Sequence, residues 1–141
     1  MSAVLVDSNV LLDVMTEDPQ WFSWSAQALA TAAETFRLVI NPIIYAEVSI
    51  RYSRIEELND ALQQTLVARE AIPYDAAFLA GKAFLAGKAF LVYRQHSGTK
   101  RSPLPDFFIG AHASIAGYRL LTRDAGRYRT YFPKLPLIAP S

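Results

Sequence analysis

A chain of 141 residues that is 52% hydrophobic carries enough apolar material for one sizeable core, so a single domain over residues 1–141 is expected. Cysteine is absent and histidine is limited to His96 and His112, which excludes disulfides, thiolate metal sites and a histidine-built zinc site, and suits a reducing cytoplasm. The net charge of +1 conceals a split: residues 1–75 hold 4 basic and 11 acidic side chains, and residues 76–141 hold 10 basic and 2 acidic.

Such a split either draws a polyanion to the cationic half or is consumed by salt bridges between the halves. The N-terminus has no basic leader ahead of a long apolar stretch, and no apolar run reaches membrane length. A soluble, unexported, cytoplasmic protein is expected.

Val4, Leu5 and Val6 read as a short buried strand. The abrupt switch to Asp7-Ser8-Asn9, followed by Val10, Leu11 and Val14, reads as a capped helix. Asp7 thus lies where a strand ends, the edge at which open α/β sheets bind ligands. It is equally placed to cap the helix. Glu17-Asp18-Pro19 forms a stop, and Trp21 to Phe36 reads as a second helix with Trp21, Trp24, Ala28, Ala32 and Phe36 at helical spacing. That stripe faces a core, or else Phe22 and the two tryptophans line a groove for a partner helix.

Phe36 to Ile40 is the second strand, and Asn41-Pro42 opens a helix by a cap followed by proline. Glu47 follows among the apolar neighbours Ile43, Ile44, Tyr45, Val48 and Ile50, where an unpaired charge is costly. Its ordinary partner would be Arg51, four residues on. Residues 54–69 read as one amphipathic helix carrying Ile55, Leu58, Leu62 and Leu66.

After Pro73 comes an internal repeat. Ala77-Phe78-Leu79-Ala80-Gly81-Lys82 recurs identically at 83–88, and a third Ala-Phe-Leu follows at 89–91. Six residues turn a helix through about 600°, so Phe78, Phe84 and Phe90 point some 120° apart. The copies cannot present the same face to a core, and strain, extra burial or an irregular turn is expected. Arg94 to Arg101 reads as a polar basic loop, and Asp106 opens a helix through Ala116 that is rich in small residues. His112, six positions after Asp106, lies on a different face and reads as a core or edge histidine. Tyr118 to Thr122 is a third strand, ending at Arg123-Asp124, and Leu135-Pro136-Leu137-Ile138 suits a sheet edge.

Strands alternating with helices imply an α/β protein with a mainly parallel sheet and helices on both faces. If the strand ends adjoin, Asp7, Glu47, Asp106 and Asp124 converge at one edge. Clustered carboxylates raise one another's pKa unless a cation neutralises them. Oxygen ligands without Cys or His select a hard ion, Mg²⁺ or Mn²⁺, and such ions serve phosphoryl chemistry.

The ordered set resembles the PIN-domain ribonucleases, and within them the VapC-type toxins of type II toxin-antitoxin pairs. The resemblance rests on Val6-Asp7-Ser8-Asn9-Val10-Leu11-Leu12, on Ala46-Glu47-Val48, on the segment from Leu104 to Ala113, and on Leu121-Thr122-Arg123-Asp124. It implies a three-layer α/β/α sandwich. It further implies Mg²⁺-dependent or Mn²⁺-dependent endonucleolytic cleavage of RNA, with tRNA or ribosomal RNA as target, by an activated water. Asp7, Glu47, Asp106 and Asp124 would bind the metal, with Ser8, Asn9 and Thr122 as supporting polar groups. A homodimer and a cognate antitoxin, whose C-terminal segment occupies a groove near the site, belong to the same resemblance. Arg94, Lys100, Arg101, Arg123, Arg127 and Arg129 are then the candidate phosphate contacts. Two rivals stand beside it: a haloacid-dehalogenase-like phosphatase, which wants an Asp where this chain has Asn9, and a non-catalytic PIN-like interaction module.

Overall fold

The structure, a computed structural model, describes residues 2–93 and 104–141, with side chains over 2–87 and 104–141. The basic loop with Arg94, Lys100 and Arg101 lies outside the described residues, as does His96. Strand β1 (Ala3–Val6) is buried along its whole length and forms the middle of a parallel sheet. Helices α1 (Ser8–Met15) and α2 (Phe22–Thr35) lead to β2 (Arg37–Ile40), which pairs with β1 in the register Val4↔Leu38 and Leu5↔Val39. Helices α3 (Pro42–Ser49) and α4 (Ile55–Gln64) lead on to β3 (Ala68–Arg69) at one edge. After α5 (Tyr74–Tyr93) and α6 (Leu104–Ala116) the chain crosses to the other side of β1. There β4 (Arg119–Leu121) pairs with it in the register Leu5↔Leu120 and Val6↔Leu121. The turn α7 (Gly126–Arg129) and edge strand β5 (Leu137–Ile138) complete the order β3-β2-β1-β4-β5.

This is the expected parallel sheet between helical layers. Successive strands run outward from β1 on one side and resume on the other, so the switch of direction falls between β1 and β4. Open α/β sheets form their ligand crevice at that point, beyond the carboxyl ends of the strands.

One element departs from expectation. The helix read over 54–69 stops at Gln64, and residues 68–69 form β3 instead. Leu58 and Leu62 are buried, but Leu66 is 82% exposed and held at φ 61°, a left-handed conformation that a helix cannot continue through. The strand is recruited by β2, whose Ile40 carbonyl accepts from the Glu70 amide. A two-residue strand has no periodicity to read.

The repeat forms no irregular turn: α5 runs unbroken through both copies. Its rotation is visible in burial. Ala80 of the first copy is buried and Gly81 exposed, whereas Ala86 of the second is exposed and Gly87 buried. Phe78 is 69% exposed, while Phe84 packs edge-on against Phe107 of α6 with ring centroids 5.5 Å apart. The small residues of α6 also permit close packing. A Cβ on Gly110 would fall 2.5 Å from the ring of Phe132. The apolar core has no room for it.

The two repeat glycines therefore respond oppositely to the same substitution. A Cβ at Gly81 meets nothing within 4 Å, but at Gly87 it meets the rings of Phe107 and Tyr131 at 3.2 Å. Gly81→Ala is expected to raise stability by about 0.5–1 kcal/mol through helix propensity. Gly87→Ala is expected to gain nothing or to lose stability, because the rings must yield. Urea denaturation of the two variants measures the difference.

Candidate metal centre

Asp7 follows β1 directly and is 1% exposed. Its backbone amide continues the ladder by donating to the Leu121 carbonyl at 2.9 Å, which locks it beside the end of β4. Its carboxylate is the N-cap of α1, accepting from the Ser8 amide at 2.8 Å. The cap is thus part of the hydrogen-bond network at this edge. The second oxygen accepts from Thr122 Oγ1 at 2.8 Å and from the Tyr128 hydroxyl at 2.9 Å. Burial still dominates and pushes the Asp7 carboxyl upward, against the lowering effect of those donors.

Around it the remaining polar groups are tied in series. Ser8 Oγ donates to Glu47 Oε1 at 2.9 Å, bringing α3 to the edge. No Glu47–Arg51 ion pair forms among the described residues. Asn9 donates to Thr122 Oγ1 at 3.4 Å and accepts from the Arg123 amide at 3.1 Å, while the Asp124 amide donates to Thr122 Oγ1 at 3.1 Å. Thr122 is thereby the joint between the loop after β4 and the carboxylate after β1.

Asp106 enters from the first turn of α6 and is 2% exposed. Its carboxyl is pushed up to about 7, first by burial and then by the charges of Asp7, Glu47 and Asp124, with Arg127 opposing. Its Oδ2 is buried without a hydrogen-bond partner. Burial raises Glu47 as well, with a further contribution from Asp7. The four acids singled out in the sequence are thus electrostatically coupled at one sheet edge. Among the described residues they form no closed cage: no three Asp, Glu or His side chains stand together closely enough to hold an ion as they are. What suits a hard cation is the donor chemistry, all oxygen, and the unpartnered Asp106 Oδ2.

The candidate phosphate contacts separate. Arg127 Nε lies 2.9 Å from Asp124 Oδ2 and its Nη 3.9 Å from Asp106 Oδ1. Arg123 is committed elsewhere: it grips the buried Asp13 with two bonds of 2.8 and 2.9 Å and covers the ring of Trp21. Ser25 Oγ adds a third bond to Asp13 at 2.7 Å, so this cluster fastens α1 and α2 to the loop after β4. Arg129 lines a separate hollow with Pro133, Leu135 and Leu137. Asp13 and Tyr128 were not evident in the sequence. An Asp inside a helix and a Tyr within a basic aromatic stretch carry no signal of the partners that tertiary pairing gives them.

The family model of the PIN domain matches residues 4–133. The chain belongs to the PIN domain family. The haloacid-dehalogenase-like alternative falls with this assignment, and the Asn9 amide, spent on Thr122 and Arg123, offers no acid in its place. No curated protein matches the chain. Among solved structures the PIN chain is similar to a chain of VapBC2 from Rickettsia felis bound to a promoter DNA fragment, at 16% identity and TM-score 0.68, covering 97% of this chain and 98% of that one. It is similar to a chain of DNA-bound VapBC from Salmonella typhimurium at 17% identity and TM-score 0.65, covering 99% and 98%. A toxin-antitoxin complex from Klebsiella pneumoniae matches at 22% identity and TM-score 0.60, with the same coverage of 99% and 98%. These likenesses establish the fold.

The raised carboxyl of Asp106 sets a pH dependence in the metal-free PIN domain. Its folded pKa of about 7 lies above the model value of 3.8, so between those values the folded state holds more proton than the unfolded one. The resulting contribution is present at low pH and lost as pH rises through about 7. Asp106→Asn removes this loss. Relative to wild type, the variant is expected to gain roughly 3 °C or more in melting temperature between pH 5 and pH 8, measured by thermal melts in chelator.

Proposed function

We propose that this PIN domain is a metal-dependent endoribonuclease, the toxin of a type II toxin-antitoxin pair acting in the cytoplasm on tRNA or ribosomal RNA. The observation that carries this is the convergence of Asp7, Glu47 and Asp124 on Asp106, whose carboxyl is raised to about 7 and whose Oδ2 lacks a partner. An edge so under-compensated gains by taking a divalent cation. Mg²⁺ or Mn²⁺ would be held by Asp7, Asp106 and Asp124 with Glu47. When bound, such an ion neutralises phosphate charge and makes a water more acidic.

The chain's own groups supply the positioning. Thr122 and Tyr128 fix one oxygen of Asp7, the Ser8 amide fixes the other, and the Ser8 hydroxyl aims Glu47. Arg127 is the candidate phosphate contact already at the edge. Arg94, Lys100 and Arg101 remain candidates from sequence.

The solved toxin-antitoxin complexes of like fold support an antitoxin as partner. A groove of about 780 Å³ between α1, α2 and α4, lined by Val14, Met15, Leu29, Ala33 and Leu66, carries Glu17, Glu57 and Asp60 among its walls. Its chemistry suits an antitoxin segment with apolar anchors and basic residues. A second copy of the chain is the proposed partner for Tyr74, Phe78 and Leu85, exposed at 93%, 69% and 62% along α5.

Calorimetric titration of the antitoxin-free protein with Mn²⁺ tests the reading without prior choice of an RNA. Wild type is expected to bind, and Asp106→Asn to lose the heat. RNA cleavage by Asp7→Asn or Asp106→Asn should fall by at least roughly 100-fold, with folding retained. A folded wild type that binds no Mn²⁺ at millimolar concentration would instead favour a non-catalytic PIN-like interaction module.

A further inference from the structure

Among the described residues, the acids of the edge have a single cationic side chain as ion-pair partner: Arg127 is the one Lys or Arg within ion-pair distance of Asp7, Glu47, Asp106 or Asp124. Its compensation is uneven. The Nε bond of 2.9 Å satisfies Asp124, whereas the Nη approach of 3.9 Å to Asp106 is too long for a hydrogen bond. Asp106 Oδ2, the buried oxygen, receives nothing.

Arg127 is also free to leave. Its side chain is 44% exposed, its partner Asp124 is 46% exposed, and it stands on the short turn α7. Arg123, four residues earlier, makes the contrast. Both its bonds go to an Asp13 that is 2% exposed, so withdrawing it would strand a buried charge. Withdrawing Arg127 returns its bond with the half-exposed Asp124 to water at small cost, and leaves the buried Asp106 without its opposing charge, a loss that only another cation makes good.

We infer that Arg127 is a removable counter-ion, holding the place of the metal between Asp106 and Asp124 until the ion displaces it. The inference rests on the nuclease reading and names the residue that competes with the metal for these oxygens. A divalent ion and a guanidinium repel each other, and oxygen ligands favour the compact divalent charge over the delocalised monovalent one. Once displaced, the fork of the guanidinium remains within a side chain's reach of the edge, with donors arranged to take phosphate oxygens. The same event that loads the site therefore frees a phosphate ligand beside it.

The test is Mn²⁺ titration by calorimetry of the full chain as wild type, Arg127→Met and Arg127→Lys, with melting temperatures recorded with and without Mn²⁺. Removing the competitor is expected to tighten Mn²⁺ binding roughly tenfold in Arg127→Met and to enlarge the Mn²⁺-induced rise in melting temperature. Arg127→Lys keeps the charge but loses the fork and should fall between, and it decides the matter if the Met variant fails to fold. Equal or weaker Mn²⁺ binding by the variants, with wild type binding normally, overturns the inference and leaves the nuclease reading standing. Absence of binding by all three proteins overturns both.

Discussion

The structure depends on burying a carboxylate at the end of its central strand. Asp7 is 1% exposed, and a charge placed there unassisted would cost several kcal/mol. Three donors offset that cost, and each comes from a different part of the chain: the first turn of α1, the end of β4 and the turn α7. The Thr122 hydroxyl reaches Asp7 because β4 lies beside β1 in the observed register. The strand order that satisfies this acid also brings Asp124 to the same edge.

How much of this was legible follows from the range of each interaction. Asp7, Asp106 and Asp124 could be singled out because each sits at the start or end of an apolar run, and Glu47 because it is a charge set among apolar neighbours, both local patterns. Ser8, Asn9 and Thr122 were legible as neighbours of those acids within motifs. Asp13 and Tyr128 were not, since their partners lie 110 and 121 residues away and nothing local distinguishes them. Arg123 and Arg127 look equivalent in sequence, four positions apart in one basic stretch. Tertiary contact divides them, giving Arg123 two short bonds to a buried Asp13 and Arg127 one short bond to a half-exposed Asp124 with a longer approach to the buried Asp106. His112 was legible as a core residue. Its ring is fully buried, with Nδ1 3.1 Å from the Asn41 amide nitrogen and Nε2 3.6 Å from Glu70. Burial holds its pKa below the ordinary histidine value, against the pull of Glu70.

The hexapeptide repeat shows the same division between local and tertiary information. Helical geometry alone required its copies to face different directions, and burial alternates accordingly between Ala80 and Gly87. Geometry did not require a break in the helix: Gly81 stands on the solvent side, where a side chain would meet nothing, and only Gly87, against two aromatic rings, finds a use for a missing one. The repeat is carried within one continuous helix by rotation of its second copy, and Asp106 stands in the first turn of α6.

The split of charge along the chain has a consequence for how two partners share one small domain. Among the described residues, only Arg123–Asp13 of the Arg–carboxylate pairs joins the acidic stretch to the basic one; Arg37–Glu70 and Arg127–Asp124 each stay within their own. Cross-bridging between halves therefore leaves the asymmetry largely unspent. Instead the acidic side chains Glu17, Glu57 and Asp60 line the groove of α1, α2 and α4, while Arg127 stands at the site edge. On the proposed function, a basic protein segment would be drawn to the acidic groove, and the RNA would be held at the edge by a bound cation and Arg127 rather than by the acids themselves. The bridge that does cross, Arg123 to Asp13, links those surfaces. Asp13 lies one residue before the groove-lining Val14, and Arg123 one residue before Asp124. That bond ties the end of α1 to the loop that carries Asp124, through an Asp13 that is 2% exposed.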